Sequence, residues 1–236
     1  MQDKLIVALD KPSFKSAQEL ILELGNTVSF YKVGLELFLN TQGEIIRFLK
    51  NKDKRIFLDL KFHDIPNTVA QAAKWATSLG VDMFDVHASG GSEMLEKTME
   101  MVRNTAAQNG IIPPKVIAIT VLTSFNEAGF AALGSKYSIQ DAVLKWAEIT
   151  KESGLDGVVC SPWEAQEIKA RCGKSFLTVC PGVRPQGAET QDQKRVMTPR
   201  EAISTGVDHI VVGRPINQAP NPQLAAEKII EEMTKI

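Results

Sequence analysis

The feature that most constrains the fold of this chain is an alternation of short apolar runs with stretches of helical length, repeated about eight times. The runs are rich in β-branched residues and bounded by Gly, Pro, Asp or Ser, which is typical of buried strands. They are LIVALD (Leu5–Asp10), VSFYKVG (Val28–Gly34), IFLDLK (Ile56–Lys61), MFDVHA (Met83–Ala88), VIAITVL (Val116–Leu122), GVVCS (Gly157–Ser161), FLTVCPG (Phe176–Gly182) and HIVVG (His209–Gly213).

The stretches between the runs have the pattern of amphipathic helices. FKSAQELILELG carries its apolar residues on one helical face and ends at Gly25, a helix stop. NTVAQAAKWATSLG and DAVLKWAEITKESG end in the same way, at Gly80 and Gly154. SPWEAQEIKARCG begins with Ser161 in a capping position and Pro162 in the first turn.

Eight strand–helix units predict a (β/α)8 barrel, the TIM barrel, formed as a single domain by residues 1–236. The alternative is an open doubly wound sheet. That fold usually has fewer strands and a Gly-rich turn after the first, whereas ALDKPS follows the first strand here. Two long connections, 123–138 and 182–198, each follow a strand. On a barrel they would lie on the catalytic face, where long loops bind ligands or act as lids.

Composition narrows the classes of partner. The net charge is −1, from 27 basic and 28 acidic residues without a basic run, so we expect neither nucleic acid nor a membrane as partner. The apolar run near the N-terminus is too short for a signal peptide or a membrane span. The three cysteines, Cys160, Cys172 and Cys180, lack CxxC spacing and predict reduced core thiols in a cytoplasmic protein.

Charged residues stand at the ends of the first three predicted strands. Asp10 ends the first, Lys32 lies in the second, Asp59 and Lys61 end the third, and Asp64 follows in the loop. Active-site residues of a barrel project from the carboxyl ends of its strands. We therefore expect these side chains to meet at one end of the barrel.

The alternation along the third strand predicts where its charges point. Phe57, Asp59 and Lys61 share one face, and the opposite face is aliphatic, with Ile56, Leu58 and Leu60. The aliphatic face suits the helix layer, so the charged face points into the barrel mouth. Buried charges are tolerated there only when paired, and Lys32, Asp59, Lys61 and Asp64 can alternate in sign.

A structural salt-bridge network is one interpretation of these charges, and a catalytic array is the other. Four charges together with Asp10 at three strand ends favour the catalytic interpretation. An ammonium group held between carboxylates stays protonated. It is a poor Schiff-base nucleophile but a good proton donor, and it stabilises negative charge that develops nearby.

The sequence predicts a phosphate site and no metal site. His63, His87 and His209 are far apart and form no convincing ligand cluster. Gly213 and Arg214 directly follow the eighth strand, where barrels commonly bind phosphate. Arg184, in the loop after the seventh strand, could join Arg214 as a forked donor; a surface arginine is the alternative for Arg214.

The stretch DLKFHDIPNT (Asp59–Thr68) fits the pattern D-x-K-x-x-D-I-x-x-T, and on it the chain resembles the orotidine 5'-phosphate decarboxylase family. The resemblance extends over nearly the whole chain through ALD, YKVG, VHASGG, LTS, PGVRP and VVGRPI. The length and the stretch DQKRV resemble the bacterial branch.

The resemblance implies a TIM barrel that converts orotidine 5'-monophosphate (OMP) to UMP and CO₂ in pyrimidine biosynthesis, without a metal or an organic cofactor. It implies that Lys61 stabilises a carbanion at C6 of the pyrimidine and then protonates it. The implied catalytic residues are Lys32, Asp59, Lys61 and Asp64. The resemblance also implies a homodimer with shared sites, in which Asp64, Ile65 and Thr68 come from the partner.

The resemblance assigns further residues to the substrate. Asp10 and Lys32 would hold the ribose hydroxyls, Thr123 would contact the base or its closing loop, and Pro181 would line the base pocket. The phosphate would be held by Arg184, Gln193, Gly213 and Arg214.

Two other functions stay open from the sequence. One is a sugar-phosphate enzyme of the same superfamily that uses Mg²⁺ and an enediolate, such as hexulose-phosphate synthase or keto-gulonate phosphate decarboxylase. Such enzymes share D-x-K-x-x-D, but the continuation D-I-x-x-T disfavours them. The other is a catalytically silent nucleotide-binding barrel, which the intact Lys and Asp array disfavours.

Overall fold

The computed structural model describes residues 1–185 and 197–234. Its eight parallel strands form a closed barrel in sequence order, with the eighth strand paired to the first, which confirms the predicted (β/α)8 fold. The strands are β1 (Leu5–Ala8), β2 (Phe30–Gly34), β3 (Arg55–Phe62), β4 (Met83–His87), β5 (Lys115–Ile119), β6 (Gly157–Val159), β7 (Leu177–Cys180) and β8 (His209–Val212).

The helices surround the barrel between successive strands. They are α1 (Phe14–Leu24), α2 (Leu35–Thr41), α3 (Glu44–Asn51), α4 (Pro66–Ser78), α5 (Gly91–Asn109), α6 (Glu127–Ala131), α7 (Ile139–Glu152), α8 (Pro162–Cys172), α9 (Pro199–Ser204), α10 (Arg214–Asn217) and α11 (Pro222–Thr234). The four helices predicted from amphipathic patterns are α1, α4, α7 and α8. Ser161 is the N-cap of α8, and the Glu164 carboxylate accepts a hydrogen bond from its backbone N–H at 2.7 Å. Among the residues described, no helix is both long enough and apolar enough to cross a membrane.

Several strands end before the apolar run that predicted them. β5 ends at Ile119, although the run continues through Val121 and Leu122. Val121 stays buried past the last ladder pair, whereas Leu122 is exposed, and both line a cavity at the barrel mouth. An apolar pattern therefore marks burial, while a strand boundary marks the end of hydrogen-bonded pairing.

The core has two layers, and β3 shows how the sequence divides between them. Phe57 packs inside the barrel, whereas Ile56 and Leu58 belong to the larger layer between the barrel and the helices. This arrangement follows from alternation along the strand and confirms the predicted orientation. The inner layer consists of Ile6, Ala8, Phe30, Phe57, Met83, Ile117, Val179 and Val211.

The pairing of β3 with β4 contains a bulge at the carboxyl end of the barrel. Leu58 pairs with Phe84 and Phe62 pairs with Val86, so the segment from Asp59 to Lys61 lies opposite Asp85 alone. Lys61 has a φ of 53°, in the left-handed region that a side chain with a Cβ atom rarely adopts. The bulge brings the charged end of β3 beside the middle of β4.

Candidate active site

Two adjoining cavities open at the carboxyl ends of the strands, and each has a volume of about 230 Å³. Lys32, Asp59 and Lys61 line both cavities. The first cavity is otherwise mostly apolar, and its lining includes Thr123 and Pro181. The second includes Asp10. The shared charged group therefore separates an apolar chamber from a polar one.

The charges at the strand ends form a line of alternating sign. The Lys32 Nζ atom lies 3.0 Å from Asp59 Oδ2 and 3.7 Å from Asp10 Oδ1. The Lys61 Nζ atom contacts the other Asp59 oxygen, Oδ1. Asp59 is 8% exposed, so it is a buried carboxylate between two ammonium groups. The prediction that these strand ends meet at the barrel mouth agrees with this geometry.

Burial and ion pairing shift the pKa values of Asp59 and Lys32 in opposite directions, and the net shift of each pKa is the one that ion pairing favours. Burial by itself would raise the pKa of Asp59, but the charge of Lys32 and further contacts, including Lys61, hold that pKa well below its usual range. Burial by itself would lower the pKa of Lys32, but Asp59 and then Asp10 raise it above its usual value. Both groups are therefore charged at neutral pH.

Asp85 is a member of this cluster that the sequence analysis missed. It lies on β4, is completely buried, and lines the first cavity with Asp59 and Lys61. Its Oδ1 atom accepts a hydrogen bond of 2.8 Å from the backbone N–H of Lys61. Burial, followed by the charge of Asp59, raises the pKa of Asp85 well above its usual value. The available signal was a lone acid inside the apolar run MFDVHA, at an inward position two residues from Met83.

The residues predicted to hold phosphate lie after adjacent strands. Arg184 follows β7, is buried, and donates from Nη1 to the Val183 carbonyl oxygen at 3.1 Å. Arg214 begins α10 directly after β8, and β7 and β8 are paired. A Cβ atom at Gly213 would lie 2.6 Å from Asp10 Oδ2, so a larger residue there would have to displace the Asp10 side chain. Gln193 lies outside the described residues.

Asp64, Ile65 and Thr68 are exposed at the start of α4 rather than gathered into the cavities. Asp64 Oδ1 accepts a hydrogen bond of 2.7 Å from the backbone N–H of Ile65. Asp64 joins none of the ion pairs within residues 1–185 and 197–234. Within one chain, the alternating array therefore comprises Asp10, Lys32, Asp59 and Lys61, without Asp64.

Two histidines that are distant in sequence meet beside the array. The rings of His63 and His87 stack with centroids 4.9 Å apart. Burial, followed by the nearby His63, lowers the pKa of His87 to about 4. In the parts of the chain that the structure describes, no group of three or more His, Cys, Asp or Glu side chains could hold a metal ion.

Comparison with known proteins gives consistent matches over nearly the full length. The model of the orotidine 5'-phosphate decarboxylase / HUMPS family matches residues 3–229. The orotidine 5'-phosphate decarboxylase of Nostoc sp. is 49% identical over 235 residues, which cover 99% of this chain and 98% of that protein. The protein of the same name from Gloeothece citriformis is 47% identical, with 100% of each chain covered. A crystal structure of orotidine 5'-phosphate decarboxylase from Lactobacillus acidophilus has a TM-score of 0.85 and 38% identity, over 97% of this chain and 98% of that chain.

Proposed function

Because this chain belongs to the orotidine 5'-phosphate decarboxylase / HUMPS family, we propose that it is an enzyme that decarboxylates OMP to UMP and CO₂ in pyrimidine biosynthesis. The observation that carries the proposal is the line of alternating charges, centred on the buried Asp59, beside the apolar cavity. A pyrimidine fits the apolar chamber, and the charged floor lies where the reacting carbon would be held.

The reaction needs a stabilised carbanion and a proton. The bond between C6 and the carboxylate breaks, CO₂ leaves, and the electron pair remains on C6. The Lys61 ammonium stabilises this charge and then transfers a proton from Nζ to C6. Its contact with Asp59 supports this role, because the ion pair holds the ammonium group in position. Solvent then returns a proton to Lys61.

Asp59 and Lys32 support the reacting group. In this proposal the substrate carboxylate lies beside the Asp59 carboxylate, and loss of CO₂ removes the repulsion between the two. Lys32, at 3.0 Å, keeps Asp59 charged while the substrate binds. The effect is electrostatic and is supplied by groups that are already oriented in the folded chain.

The remainder of the nucleotide extends toward the second cavity. Asp10 and Lys32 line that cavity and would hold the ribose hydroxyls. Arg184, Gly213 and Arg214 would bind the phosphate after β7 and β8, together with Gln193. Thr123 and Pro181 would contact the base in the first cavity. Binding energy from the distant phosphate can lower the barrier at C6, because it is used to position the base against Lys61.

The proposed reaction uses no metal or organic cofactor. The chain itself supplies an acid, Lys61, and the fixed charges that oppose and stabilise the reacting group. Activity should therefore survive exhaustive treatment with EDTA. Lasting loss of activity that Mg²⁺ restores would instead favour the sugar-phosphate enzymes of this superfamily, which use Mg²⁺ and an enediolate.

We propose further that the active enzyme is a homodimer with shared sites. Ile65 is 67% exposed, and exposed apolar residues of α2 and α4, namely Leu35, Leu39 and Trp75, lie in the same region. Phe38 and Trp75 pack edge to face at 5.5 Å and join the two helices. An exposed apolar surface beside an active site is typical of a subunit interface. In a dimer, Asp64, Ile65 and Thr68 would complete the partner's site.

We place the reaction in the cytoplasm, since Cys160, Cys172 and Cys180 are all free thiols and reduced cysteines persist in that compartment. Cell fractionation would test this, with the expectation that OMP turnover is found in the cytosolic fraction. Recovery of the activity in a secreted or envelope fraction would contradict it.

The decisive experiment follows OMP consumption by ultraviolet absorbance. Wild-type protein should convert OMP to UMP, and Lys61→Ala should lose nearly all turnover while keeping its circular dichroism spectrum. Lys97→Ala, which removes an exposed lysine on the outside of α5, is the matched control and should keep full activity. Undiminished turnover in Lys61→Ala would refute the assignment. Binding of UMP by the wild-type protein without any turnover would favour the catalytically silent barrel.

Subunit exchange tests the shared site. Lys61→Ala and Asp64→Ala proteins should each be inactive. Mixing them should restore activity, because one of the two sites in the heterodimer combines wild-type Lys61 with wild-type Asp64. Absence of recovery, with exchange verified by differently tagged subunits, would show that Asp64 acts within its own chain.

A further inference from the structure

Asp85 is a buried acid beside the array to which the proposed reaction assigns no role. It lies at the centre of β4, has no exposed surface, and points into the first cavity. Its strand neighbour on the other side, β5, places Ile117 opposite it. The charged groups around it are Asp59 and Lys61 from β3 and Lys32 from β2, and the titratable His87 lies two residues further along its own strand. A carboxyl group in such a place needs a partner for each oxygen.

Asp85 Oδ1 accepts a hydrogen bond from a backbone N–H of β3 at the bulge, where the regular backbone pairing with β4 is interrupted. Between Leu58 and Phe62 the regular pairing of β3 with β4 is interrupted. The backbone N–H of Lys61 donates instead to Asp85 Oδ1, at 2.8 Å. Lys61 adopts left-handed backbone angles at this point. Strained backbone persists only where surrounding contacts hold it, and Asp85 supplies such a contact.

The other oxygen of Asp85 lies against a second acid. Oδ2 is buried and has no hydrogen-bond donor within the described part of the chain. Asp85 and Asp59 line the same cavity, where two ionised carboxylates would repel each other. Asp59 is bound by both Lys32 and Lys61, so it keeps the negative charge. A proton held by this pair of acids would therefore lie on Asp85, which no ammonium group pairs within the described part of the chain.

We infer that Asp85 is a positioning residue that acts as a neutral acid: Oδ1 fixes the backbone of Lys61, and the Oδ2 hydroxyl donates a hydrogen bond to Asp59. The inference rests on the proposed function for its catalytic consequence. The raised pKa of Asp85, caused by burial and by the charge of Asp59, agrees with a neutral group. Asp85 would not contact the substrate's reacting atoms; it would act through Lys61 and Asp59.

The neutral form has a chemical mimic. Asparagine has nearly the shape of protonated aspartic acid, with one carbonyl acceptor and an NH₂ group, which offers two donors, in place of the hydroxyl. Asp85→Asn should therefore satisfy Lys61 and Asp59 as the native residue does. Asp85→Ala leaves the N–H of Lys61 without its acceptor and removes one donor from Asp59, which keeps its two ammonium partners.

Steady-state kinetics with OMP compares these two variants. Asp85→Asn should keep kcat within about threefold of wild type, because a matched donor and acceptor remain. Asp85→Ala should lower kcat about 100-fold with little change in KM, since misplacement of Lys61 affects the chemical step more than binding. Equal losses in the two variants would overturn the inference, because they would show that the charge of Asp85 is required. Full activity in Asp85→Ala would overturn it as well.

Infrared spectroscopy tests the protonation state without substrate. The difference spectrum of wild type minus Asp85→Asn at neutral pH should contain the C=O stretch of a neutral carboxylic acid. A difference spectrum with carboxylate bands alone would overturn the inference. This measurement decides the state of Asp85 even if the wild-type protein fails to turn over OMP or Asp85→Ala fails to fold. Failure of the proposed function is thus distinguished from failure of the inference.

Discussion

Replacing Asp85 by asparagine should make the protein more stable, by an amount that grows with pH. In the folded chain the pKa of Asp85 is raised by burial and by Asp59, whereas in the unfolded chain it returns to about 3.9. Above about pH 4 the folded state therefore binds one proton more than the unfolded state at this residue. Wild-type stability from this group is greatest below the unfolded pKa and is lost as the pH rises toward the folded pKa.

The magnitude follows from the difference of one bound proton. The free energy of unfolding contributed by Asp85 should fall by about 1.4 kcal/mol for each pH unit in this window. The asparagine side chain does not titrate, so the stability difference between Asp85→Asn and wild type should rise with that slope between the unfolded and the folded pKa of Asp85. Asp59 acts in the opposite direction at lower pH, because its pKa is depressed, but it is present in both proteins and cancels in the difference.

Urea unfolding followed by circular dichroism, repeated at several pH values, measures this slope. Asp3→Asn makes the same chemical change on the exposed surface and serves as the matched control. Its stability curve should run parallel to that of wild type. A difference between Asp85→Asn and wild type that stays constant with pH would refute the conclusion that Asp85 is neutral in the folded protein. A difference that shrinks as the pH rises would show that the folded chain favours the ionised form.

Four further predictions concern the array, the ribose end of the site and two buried groups. Asp59→Ala should lower the free energy of unfolding at neutral pH by about 3–5 kcal/mol, because it leaves two ammonium groups without their shared partner. Urea unfolding measures this loss, and a value below about 1 kcal/mol would mean that solvent screens the charges of the array. Gly213→Ala should weaken UMP binding about tenfold in calorimetry, since the Cβ atom of the alanine would lie 2.6 Å from Asp10 Oδ2. Unchanged affinity for UMP would show that the Asp10 carboxylate moves freely. His87 should titrate near pH 4 by NMR, and a midpoint near 6.5 would contradict this prediction. The free energy of unfolding that His87 contributes should fall as the pH drops from about 6.5 toward 4, and His87→Gln should lack this fall. The pKa of the Cys160 thiol is raised by its hydrogen bond with a neighbouring thiol and by burial. Cys160 should therefore resist iodoacetamide in the native protein and react with it in urea, as measured by mass spectrometry. Rapid labelling of the native protein would contradict this prediction.

Most of the fold and most of the charged cluster were predictable because their signals are local. Each strand of the barrel is a short apolar run, and each helix has its own periodicity and stop, so the number of units could be counted along the chain. Lys32, Asp59 and Lys61 were predictable because strand ends in a parallel barrel share one edge. No distance between them had to be known.

Asp85 shows where this reasoning fails. Its run, MFDVHA, has the pattern of a buried strand, and the same alternation argument that oriented Asp59 would have turned this acid inward as well. The pattern does not show which group the inward-facing acid contacts. Whether an inward acid meets an ammonium, a carboxylate or a backbone N–H depends on the register of the neighbouring strand, and here a bulge in β3 sets that register.

By itself, the sequence determined the type of each element, the direction of the side chains on β3, and the end of the barrel at which the charges gather, because these depend on periods of two or 3.6 residues. Only the tertiary structure decided that Lys61 takes left-handed backbone angles and that its N–H donates to Asp85. It also decided that Asp59 and Asp85 are buried close enough for the charge of one to raise the pKa of the other. The physical reason is that register, burial and the resulting pKa shifts arise between segments that are distant along the chain, and their energies exist only once those segments are in contact.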